Sequence, residues 1–407
     1  MESQALYALR DVAGVPSHPI LFLVLGVVTF ALHLFAVHVM LGGAALTIRG
    51  AFSAQEHWRR LANAMLATSK IAVSVAVVIG VAPLLFVQVI YDPFWYTSNV
   101  LSAWWVIGFI MLLTIAYLLI YVFYGKNEDL TKAKTRCPGS MILSLVLFIT
   151  VGLIMHTLTN QMLSPDDWMQ WYAPEGKIDA SGTGLHSINI WRFAFMIALA
   201  APVTGAWLYG YRHYLSMRAD SDSEYLQFVQ QLAAKMMFVG GLVALLVGGL
   251  WMLTLPANQL AFLTNPLLPL SALALVALAF APKLLGNRIN QGINGYWLVL
   301  FALATVLVIA LDREAVRWYA LVVDSGYNPL DYTVNMDWYS TLLFFVTFGL
   351  VGGLTLAYFL TVAWQAGHAE STYTPSAAVT RMGTWSIYII AIWILHYFVL
   401  GFWVWAQ

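Results

Sequence analysis

The stretch from Ile20 to Thr47 reads ILFLVLGVVTFALHLFAVHVMLGGAALT and contains no Asp, Glu, Lys or Arg. A membrane span needs about 20 apolar residues, so this stretch is long enough to cross a bilayer as a helix. Its titratable side chains are His33 and His38, which stand five residues apart. An ionisable residue inside a span is a functional-site candidate, because imidazole in hydrocarbon needs a partner. The stretch therefore predicts a transmembrane helix and a site within it.

The rest of the chain has the same apolar character. Of its 407 residues, 61% are hydrophobic and 9% are charged, whereas a soluble domain has about 25% charged residues. The predicted fold is all-α: a polytopic transmembrane bundle of about ten helices, surrounded by lipid. The predicted spans are 19–48, 67–91, 100–124, 140–163, 188–214, 235–255, 265–285, 295–311, 338–364 and 384–405, of which 265–285 and 295–311 are the weakest, so that the count is nine or ten.

Orientation follows from the basic residues in short loops, which favour the inner side. With the N-terminus outside, fourteen of the 19 Lys and Arg residues fall on the inner side and five on the outer side. We therefore expect a prokaryotic cytoplasmic (inner) membrane protein with both termini outside. No nucleic acid is expected as a partner.

Two further features bear on function. Gly80 and Pro83 lie inside the second span, where the missing proline N–H predicts a kink that either opens room for a ligand or has no such role.

Two long outer segments, 164–185 and 312–337, carry aromatic and acidic residues. These segments are candidate docking surfaces for a redox partner.

Four histidines are predicted to lie within spans. At about 1.5 Å of rise per residue, His33 and His396 fall near mid-membrane, His156 in the outer half, and His38 more than a turn further in. A b haem takes two axial ligands from imidazole nitrogens or a thioether sulfur, so Met196 is a further candidate. No Cys-x-x-Cys-His motif is present, which excludes a c-type haem.

The same histidines have a simpler interpretation. A membrane histidine can hydrogen-bond a neighbouring helix, contributing about 0.6 kcal/mol on average. For any one residue alone, this interpretation is favoured. Four buried histidines, with no buried Asp or Glu and no mid-membrane carboxylate expected, favour haem or quinone chemistry over proton-coupled transport.

Several short motifs resemble subunit I of the cytochrome bd quinol oxidases, over about the first 215 residues. In that family a haem-ligating His in the first helix is followed eight residues later by Leu-Gly, as His33 is by Leu41-Gly42. Further matches are Gly80-Val81, Phe94-Trp95-Tyr96-Thr97-Ser98, Asn160-Gln161-Met162-Leu163-Ser164-Pro165 and Val203-Thr204-Gly205-Ala206. The resemblance implies a bd-like helical bundle with the N-terminus outside, and His33 as an axial haem ligand.

The chain departs from that family at its reaction sites. The position of the family's fifth-helix haem ligand holds Met196, and no carboxylate lies between Val100 and Phe123. The Gly-Arg-Gln-Pro-Trp motif is absent, and a few residues replace the family's large quinol-binding loop. Oxygen reduction by this chain alone is therefore not expected.

The leading hypothesis is a membrane subunit of a respiratory electron-transfer complex that binds b haem or quinol. It would be an oxidoreductase component rather than a terminal oxidase, with a periplasmic cytochrome c or iron–sulfur protein as partner. Residues 1–215 would form the half that holds the haem, and residues 216–407 the half used for packing and partner docking. His33 would be one haem ligand, and the opposite ligand would be His156, Met196 or His396. His38 is the weaker candidate, because the bd family has no ligand at that position. The alternatives are a cofactor-free, quinone-binding anchor similar in role to NrfD-type subunits, and a transporter.

Overall fold

The computed structural model describes residues 3–132, 134–290, 293–370 and 372–407, and within these ranges the chain folds as helices joined by short connections. A single isolated β-bridge in the described chain joins Val15 to Val334. The first helices are α1 (Ser3–Ala8), α2 (Pro19–Ala51), α3 (Glu56–Ile90), α4 (Asp92–Leu101), α5 (Ala103–Lys126), α6 (Pro138–Gln161), α7 (Trp168–Tyr172), α8 (Ile190–Ala198) and α9 (Ala200–Ser216).

The later helices include two π-helical segments, Tyr319–Asp324 and Val346–Gly352. The α-helices of this part are α10 (Ser223–Leu253), α11 (Leu267–Asn290), α12 (Tyr296–Trp318), α13 (Trp338–Phe345), α14 (Gly353–His368) and α15 (Ala377–Trp405). Short 3-10 turns occupy Pro165–Asp167, Pro174–Gly176, Ala257–Thr264 and Pro329–Asp331.

The predicted all-α membrane fold is confirmed. Nine helices in the described ranges are long and apolar enough to cross a membrane, and they correspond to nine of the ten predicted spans. In this count α8 and α9 together form one span, Ile190–Ser216, and α13 to α14 form another, Trp338–His368. The chain is therefore a multi-pass integral membrane protein. The sides on which its termini lie stay a prediction.

The tenth predicted span, 295–311, corresponds to α12, which is not among the nine and runs on to Trp318. The helix therefore continues past residue 311, the predicted end of the span, and the start of the outer segment at residue 312 stays a prediction. The charged residues that mark this boundary in the sequence make hydrogen bonds and electrostatic contacts with neighbouring helices instead of ending the helix, as described below. The last turns of α12 thus carry four charged side chains among packed helices: Asp312, Arg313, Glu314 and Arg317.

The chain divides into two compact units. The first comprises residues 1–13, 19–213 and 223–332, and the second comprises 14–18, 214–222 and 333–407. The functional division at residue 215 stays a prediction.

In the first unit α2 packs against α3 along much of its length, and α12 also packs against α2. Small and branched apolar residues fill this core, among them Val27, Ala31, Val73, Val306 and Ala310. We refer to the contact between α2 and α3 as the α2–α3 seam. The seam holds the first histidine of the opening stretch.

In the second unit α14 packs against α15. The indole N–H of Trp393 on α15 donates a 2.8 Å hydrogen bond to the hydroxyl of Thr347 in the π-helical segment. The most apolar windows of both spans have no buried residues within the described chain. Such apolar surfaces suit contact with lipid.

Candidate functional site

His33 lies in the α2–α3 seam and is held by the backbone of α3. Its ring Nδ1 donates a hydrogen bond to the carbonyl oxygen of Ala76 at 2.8 Å. Because a carbonyl only accepts, Nδ1 carries the proton, and in neutral imidazole Nε2 keeps its lone pair. Nε2 makes no hydrogen bond to any residue that the structure describes. Metal-ligating histidines commonly show this pattern, with the second ring nitrogen bonded to a carbonyl.

Gly80, one turn after Ala76 on α3, makes room for this ring. A Cβ added at Gly80 would lie 2.6 Å from Nδ1 of His33 and 2.8 Å from Cε1. The imidazole therefore packs directly on the α3 backbone. The predicted kink at Gly80 and Pro83, and any room for a ligand there, stay a prediction.

His38 faces a different neighbour. Five residues along a helix correspond to a rotation of about 140°, so His33 and His38 cannot point the same way. His38 is 1% exposed, and its Nε2 donates to the backbone carbonyl of Met196 on α8 at 2.8 Å. Its Nδ1 is buried without a hydrogen-bond partner among the described residues. His38 thus joins two helices, as the simpler interpretation expects.

Met196 meets His38 through its carbonyl oxygen. Its side chain packs, partly buried, against the main hydrophobic cluster of the first unit. The thioether as an axial ligand stays a prediction.

His156 belongs to a polar cluster where α6 ends and α8 begins. Its Nε2 is 3.2 Å from the side-chain nitrogen of Asn160, and its ring centroid is 5.5 Å from that of Phe193. The oxygen of the same Asn160 amide accepts a hydrogen bond from Arg192, which is 5% exposed. The Arg192 guanidinium also lies 5.5 Å from the Trp251 ring centroid. Because Nε2 of His156 accepts from Asn160, iron binding there would require this bond to break.

His396 lies in the second unit. Its Nε2 is 2.5 Å from the hydroxyl of Tyr339, and its ring centroid is 5.8 Å from that of Tyr397. Within the second unit, His396 is thus a tyrosine-bonded residue of α15. Its role as a ligand stays a prediction.

The described residues contain no group of three or more His, Cys, Asp or Glu side chains arranged to hold a metal ion. A haem needs one or two axial ligands rather than three. Binding of haem iron by His33 and His156 therefore stays a prediction.

The last turns of α12 hold a cluster that the sequence analysis assigned to an outer loop. Glu314 accepts a hydrogen bond from the Tyr91 hydroxyl at 2.9 Å and one from Arg317 at 2.8 Å, so each of its oxygens has a partner. Arg317 is 6% exposed, and its guanidinium lies 5.0 Å from the Tyr91 ring centroid. The sequence signal was available: residues three apart on a helix lie on the same face.

Arg313, beside this pair, has no such acceptor. Its guanidinium lies 4.1 Å from the ring centroid of Phe30, one turn before His33 on α2. It is within electrostatic range of Arg192, Arg317 and Glu314. It makes no hydrogen bond to any residue the structure describes.

The expectation that no Asp or Glu is buried is wrong for two aspartates. Asp312 is 5% exposed, and its Oδ1 has no hydrogen-bond partner in the described chain. Asp92, at the start of α4, is 8% exposed and accepts from the Tyr332 hydroxyl and the Asp11 amide. Both acids lie at or beyond the end of an apolar run, where sequence alone suggests solvent, and packing of other segments covers them.

A small void of about 20 Å³, with room for about one water-sized group, lies between α2, α3 and α12, on the side of His33 towards the predicted outer end. Gly26, which lines it, precedes His33 by seven residues, or two turns on the same face of α2. Its polar end is formed by Arg313, Glu314 and Arg317. The apolar walls come from Phe22, Leu23, Pro83, Phe86, Val87 and Ile90.

Aromatic residues of the predicted outer segment pack onto α4. The Tyr327 ring is fully buried and lies 4.7 Å from the Phe94 ring. The Arg10 guanidinium lies 4.1 Å from the ring centroid of Tyr7 and 4.2 Å from those of Tyr327 and Tyr332. Burial raises the pKa of Tyr327 to about 12, so its hydroxyl stays protonated at neutral pH. These contacts hold the N-terminal segment in place; partner docking on this surface stays a prediction.

No protein-family model matches this chain, and no curated protein matches it significantly. The resemblance to cytochrome bd subunit I therefore rests on the short motifs given above. Functional inference rests on the residues themselves.

Proposed function

We propose that this chain is an integral-membrane subunit of a prokaryotic respiratory electron-transfer complex, with a redox cofactor, b haem or quinol, bound beside His33. The observation that carries the proposal is the hydrogen bond from His33 Nδ1 to the Ala76 carbonyl. This bond fixes the orientation of the His33 ring in the apolar seam. It leaves the lone pair of Nε2 available to a ligand. The partner would be a cytochrome c or iron–sulfur protein on the outer face of the inner membrane.

In the haem form of the proposal, His33 would hold the haem iron, because imidazole nitrogen is a common ligand of that metal. Within the same unit, the candidates for a second ligand are His156 and Met196. When bound, a b haem supplies one-electron transfer. Ala76 would set the tautomer and ring orientation of His33, and Gly80 would let the ring lie against α3.

The test is the haem content of purified protein, read from the Soret band and the pyridine haemochrome. His33→Gln retains an amide N–H for Ala76 but removes the imidazole, and we expect it to lose haem while the protein stays folded. His57→Ala is the matched control, because His57 packs on Tyr225 and Phe228, outside the seam. Absence of haem from the wild-type protein, or full haem content in His33→Gln, would refute the haem form.

The second candidate is a cofactor-free subunit that binds quinol and anchors a partner, similar in role to NrfD-type subunits. The departure from the bd family at the position of its fifth-helix haem ligand, which holds Met196 here, is the observation in its favour. Bound quinone in a preparation without a Soret band would support this form over the first.

A transporter is a further alternative, and the buried Asp312 is the observation in its favour. Buried acids in membrane proteins often mark proton or ion pathways. Proton flux into proteoliposomes containing the purified chain, abolished by Asp312→Asn, would favour transport. Flux indistinguishable from that of empty liposomes would remove this alternative.

A further inference from the structure

Lys70 places a cation inside one of the membrane spans, on α3. Its ammonium nitrogen lies 3.1 Å from the ring centroid of Tyr124 and 5.8 Å from that of Tyr121, both on α5. The ammonium makes no hydrogen bond or ion pair with any residue that the structure describes. A charged residue inside a span is a functional-site candidate, so the surroundings of Lys70 decide which ligand it could take.

Lys70 lies level with the end of α5. Tyr124 stands two residues before Lys126, with which α5 ends. Beyond that end the following loop covers earlier turns of α3, where the Arg59 side chain donates to the Leu130 carbonyl at 2.6 Å. Lys70 therefore lies where the apolar faces of α3 and α5 give way to polar chain. Phospholipid headgroups meet a membrane protein at this depth.

Two donor groups are available at this position. The Lys70 ammonium carries three N–H donors. The Tyr124 hydroxyl has no partner among the described residues, and Tyr124 is 40% exposed. The nearby acid Asp129 forms its ion pair with Lys132, at 3.3 Å. A cation beside a free hydroxyl donor suits the oxygens of a phosphate group.

A chain of hydroxyl groups fixes α5 against α3 beside these donors. Ser74 donates to the backbone carbonyl of Lys70 at 3.1 Å, and its oxygen lies 3.1 Å from the Tyr117 hydroxyl. The Tyr117 hydroxyl is in turn 3.3 Å from that of Tyr121. Because the one proton of Ser74 goes to the carbonyl, Tyr117 donates to Ser74 and Tyr121 donates to Tyr117. The chain thus holds the Tyr121 ring beside the ammonium.

We propose that Lys70 and Tyr124 bind the phosphodiester of an anionic phospholipid, such as phosphatidylglycerol, in the groove between α3 and α5. The occupant is a lipid because the chain is an integral membrane protein and exposed apolar side chains flank the groove along both helices. These side chains are Ile71, Val75, Val78, Leu118 and Val122.

The positive charge at the site favours an anionic headgroup over a zwitterionic one. No carboxylate of the described chain forms an ion pair with Lys70, so the quaternary ammonium of phosphatidylcholine would meet an unbalanced positive charge. An anionic headgroup carries no such second charge. The inference depends on the membrane fold and not on the proposed electron-transfer function.

The test uses the purified full chain in phosphatidylcholine nanodiscs that contain a small share of phosphatidylglycerol with a diazirine near its headgroup. Light-induced cross-links are mapped by mass spectrometry, and affinity is taken from competition with unlabelled phosphatidylglycerol or phosphatidylcholine. We expect cross-linked peptides from α3 and α5 around Lys70, with phosphatidylglycerol the stronger competitor. Lys70→Met should weaken binding at these peptides about 5-fold, because one lysine charge is lost.

Three further variants separate this site from general attraction to lipid. Lys70→Arg keeps the charge and should retain binding, whereas Tyr124→Phe keeps the ring but loses the hydroxyl and should bind more weakly than wild type. Lys283→Met is the matched control, because the Lys283 ammonium also lies on a ring, 3.5 Å from the Phe238 centroid, but on α11. Cross-links at α3 and α5 should be unchanged in this control. Monodispersity and thermal unfolding verify that each variant folds.

Three outcomes would overturn the inference. The first is cross-linking spread over the whole lipid-facing surface without preference for α3 and α5. The second is equal competition by phosphatidylcholine and phosphatidylglycerol, and the third is binding that Lys70→Met leaves unchanged. Each would mean that the lysine only extends to the headgroup level without selecting a lipid. Haem and quinone content are read separately, so any of these results leaves the proposed function in place.

Discussion

His38 donates a hydrogen bond from Nε2 to the backbone carbonyl of Met196 at 2.8 Å, joining α2 to α8 across 158 residues of sequence. His38 and Met196, both predicted as site residues, are thus bonded to each other and hold the two helices together. It also fixes the remaining lone pair of His38 on Nδ1, which is buried and has no partner among the described residues. The two histidines of the first span thus use opposite ring nitrogens: His33 donates through Nδ1, and His38 through Nε2.

Replacing His38 should therefore affect stability rather than cofactor content. His38→Ala removes a buried ring and leaves the Met196 carbonyl without its donor, and we expect a loss of about 3 kcal/mol. Met196→Leu keeps the carbonyl and most of the side-chain volume, so it should cost less than about 1.5 kcal/mol. Thermal unfolding in detergent measures both. Loss of haem or quinone from a His38→Ala protein that remains fully stable would contradict this assignment.

Arg10 should control the order of the N-terminal segment. Its guanidinium contacts three tyrosine rings and donates to the Asn328 carbonyl at 2.6 Å. Arg10→Ala removes these contacts, and we expect the segment to lose about 2 kcal/mol of local stability. Hydrogen exchange of peptides covering 3–13 and 327–332 should then become faster.

Arg10→Lys is the informative control for that experiment. Lysine keeps the charge but not the planar group that contacts the rings, so its exchange should resemble that of Arg10→Ala. Wild-type exchange in Arg10→Lys would show that charge alone holds the segment.

The spans were predictable because hydrophobicity along the chain determines which segments enter a membrane. The α12 cluster was not, because an apolar run in a sequence stops at its first charged residue, here Asp312. A helix continues past that point when neighbouring segments supply partners, as Tyr91, between α3 and α4, does for Glu314. The spacing of Glu314 and Arg317, three residues apart on one helical face, was the available signal.

The partners of the histidines were also beyond sequence reasoning. Ala76 and Met196 act through backbone carbonyls, which every residue has, so side-chain chemistry does not distinguish them. The type of site residue could be predicted, since imidazole in a span needs a partner. Which ring nitrogen stays available could be obtained only from the packing of α2 against α3 and α8.

The loop before α8 should lose stability at acidic pH. The His186 ring stacks on Trp171 at 5.1 Å, and its backbone N–H donates to Gln161. Burial lowers the pKa of His186 below its ordinary value, with Asp179 acting in the opposite direction. Between the ordinary value of about 6.5 and this lower pKa, the open loop binds a proton that the closed loop does not, so stability falls as pH drops through this window.

Hydrogen exchange of residues 164–189, corrected for the intrinsic pH dependence of exchange, measures this effect. Protection should decrease from pH 7 to pH 5.5 in the wild-type protein. In His186→Gln the same segment should show little pH dependence. An identical loss of protection in this variant would assign the effect to another group.

Gly80 should be the most sensitive glycine of the α2–α3 seam, because the His33 ring occupies the space of its missing side chain. In Gly80→Ala the added Cβ would lie 2.6 Å from His33 Nδ1, so the ring must move and its bond to Ala76 must weaken or break. We expect the free energy of unfolding to fall by about 2 kcal/mol, as for other overpacked sites.

Gly108→Ala on α5 is the matched control: nothing lies within 4 Å of its added Cβ, and alanine there should stabilise the helix by up to about 1 kcal/mol. Thermal unfolding compares the two variants, and cofactor content of Gly80→Ala should fall with that of His33→Gln if the orientation of His33 matters for binding. Equal stability of Gly80→Ala and Gly108→Ala would mean that His33 is not held against α3 in the way described.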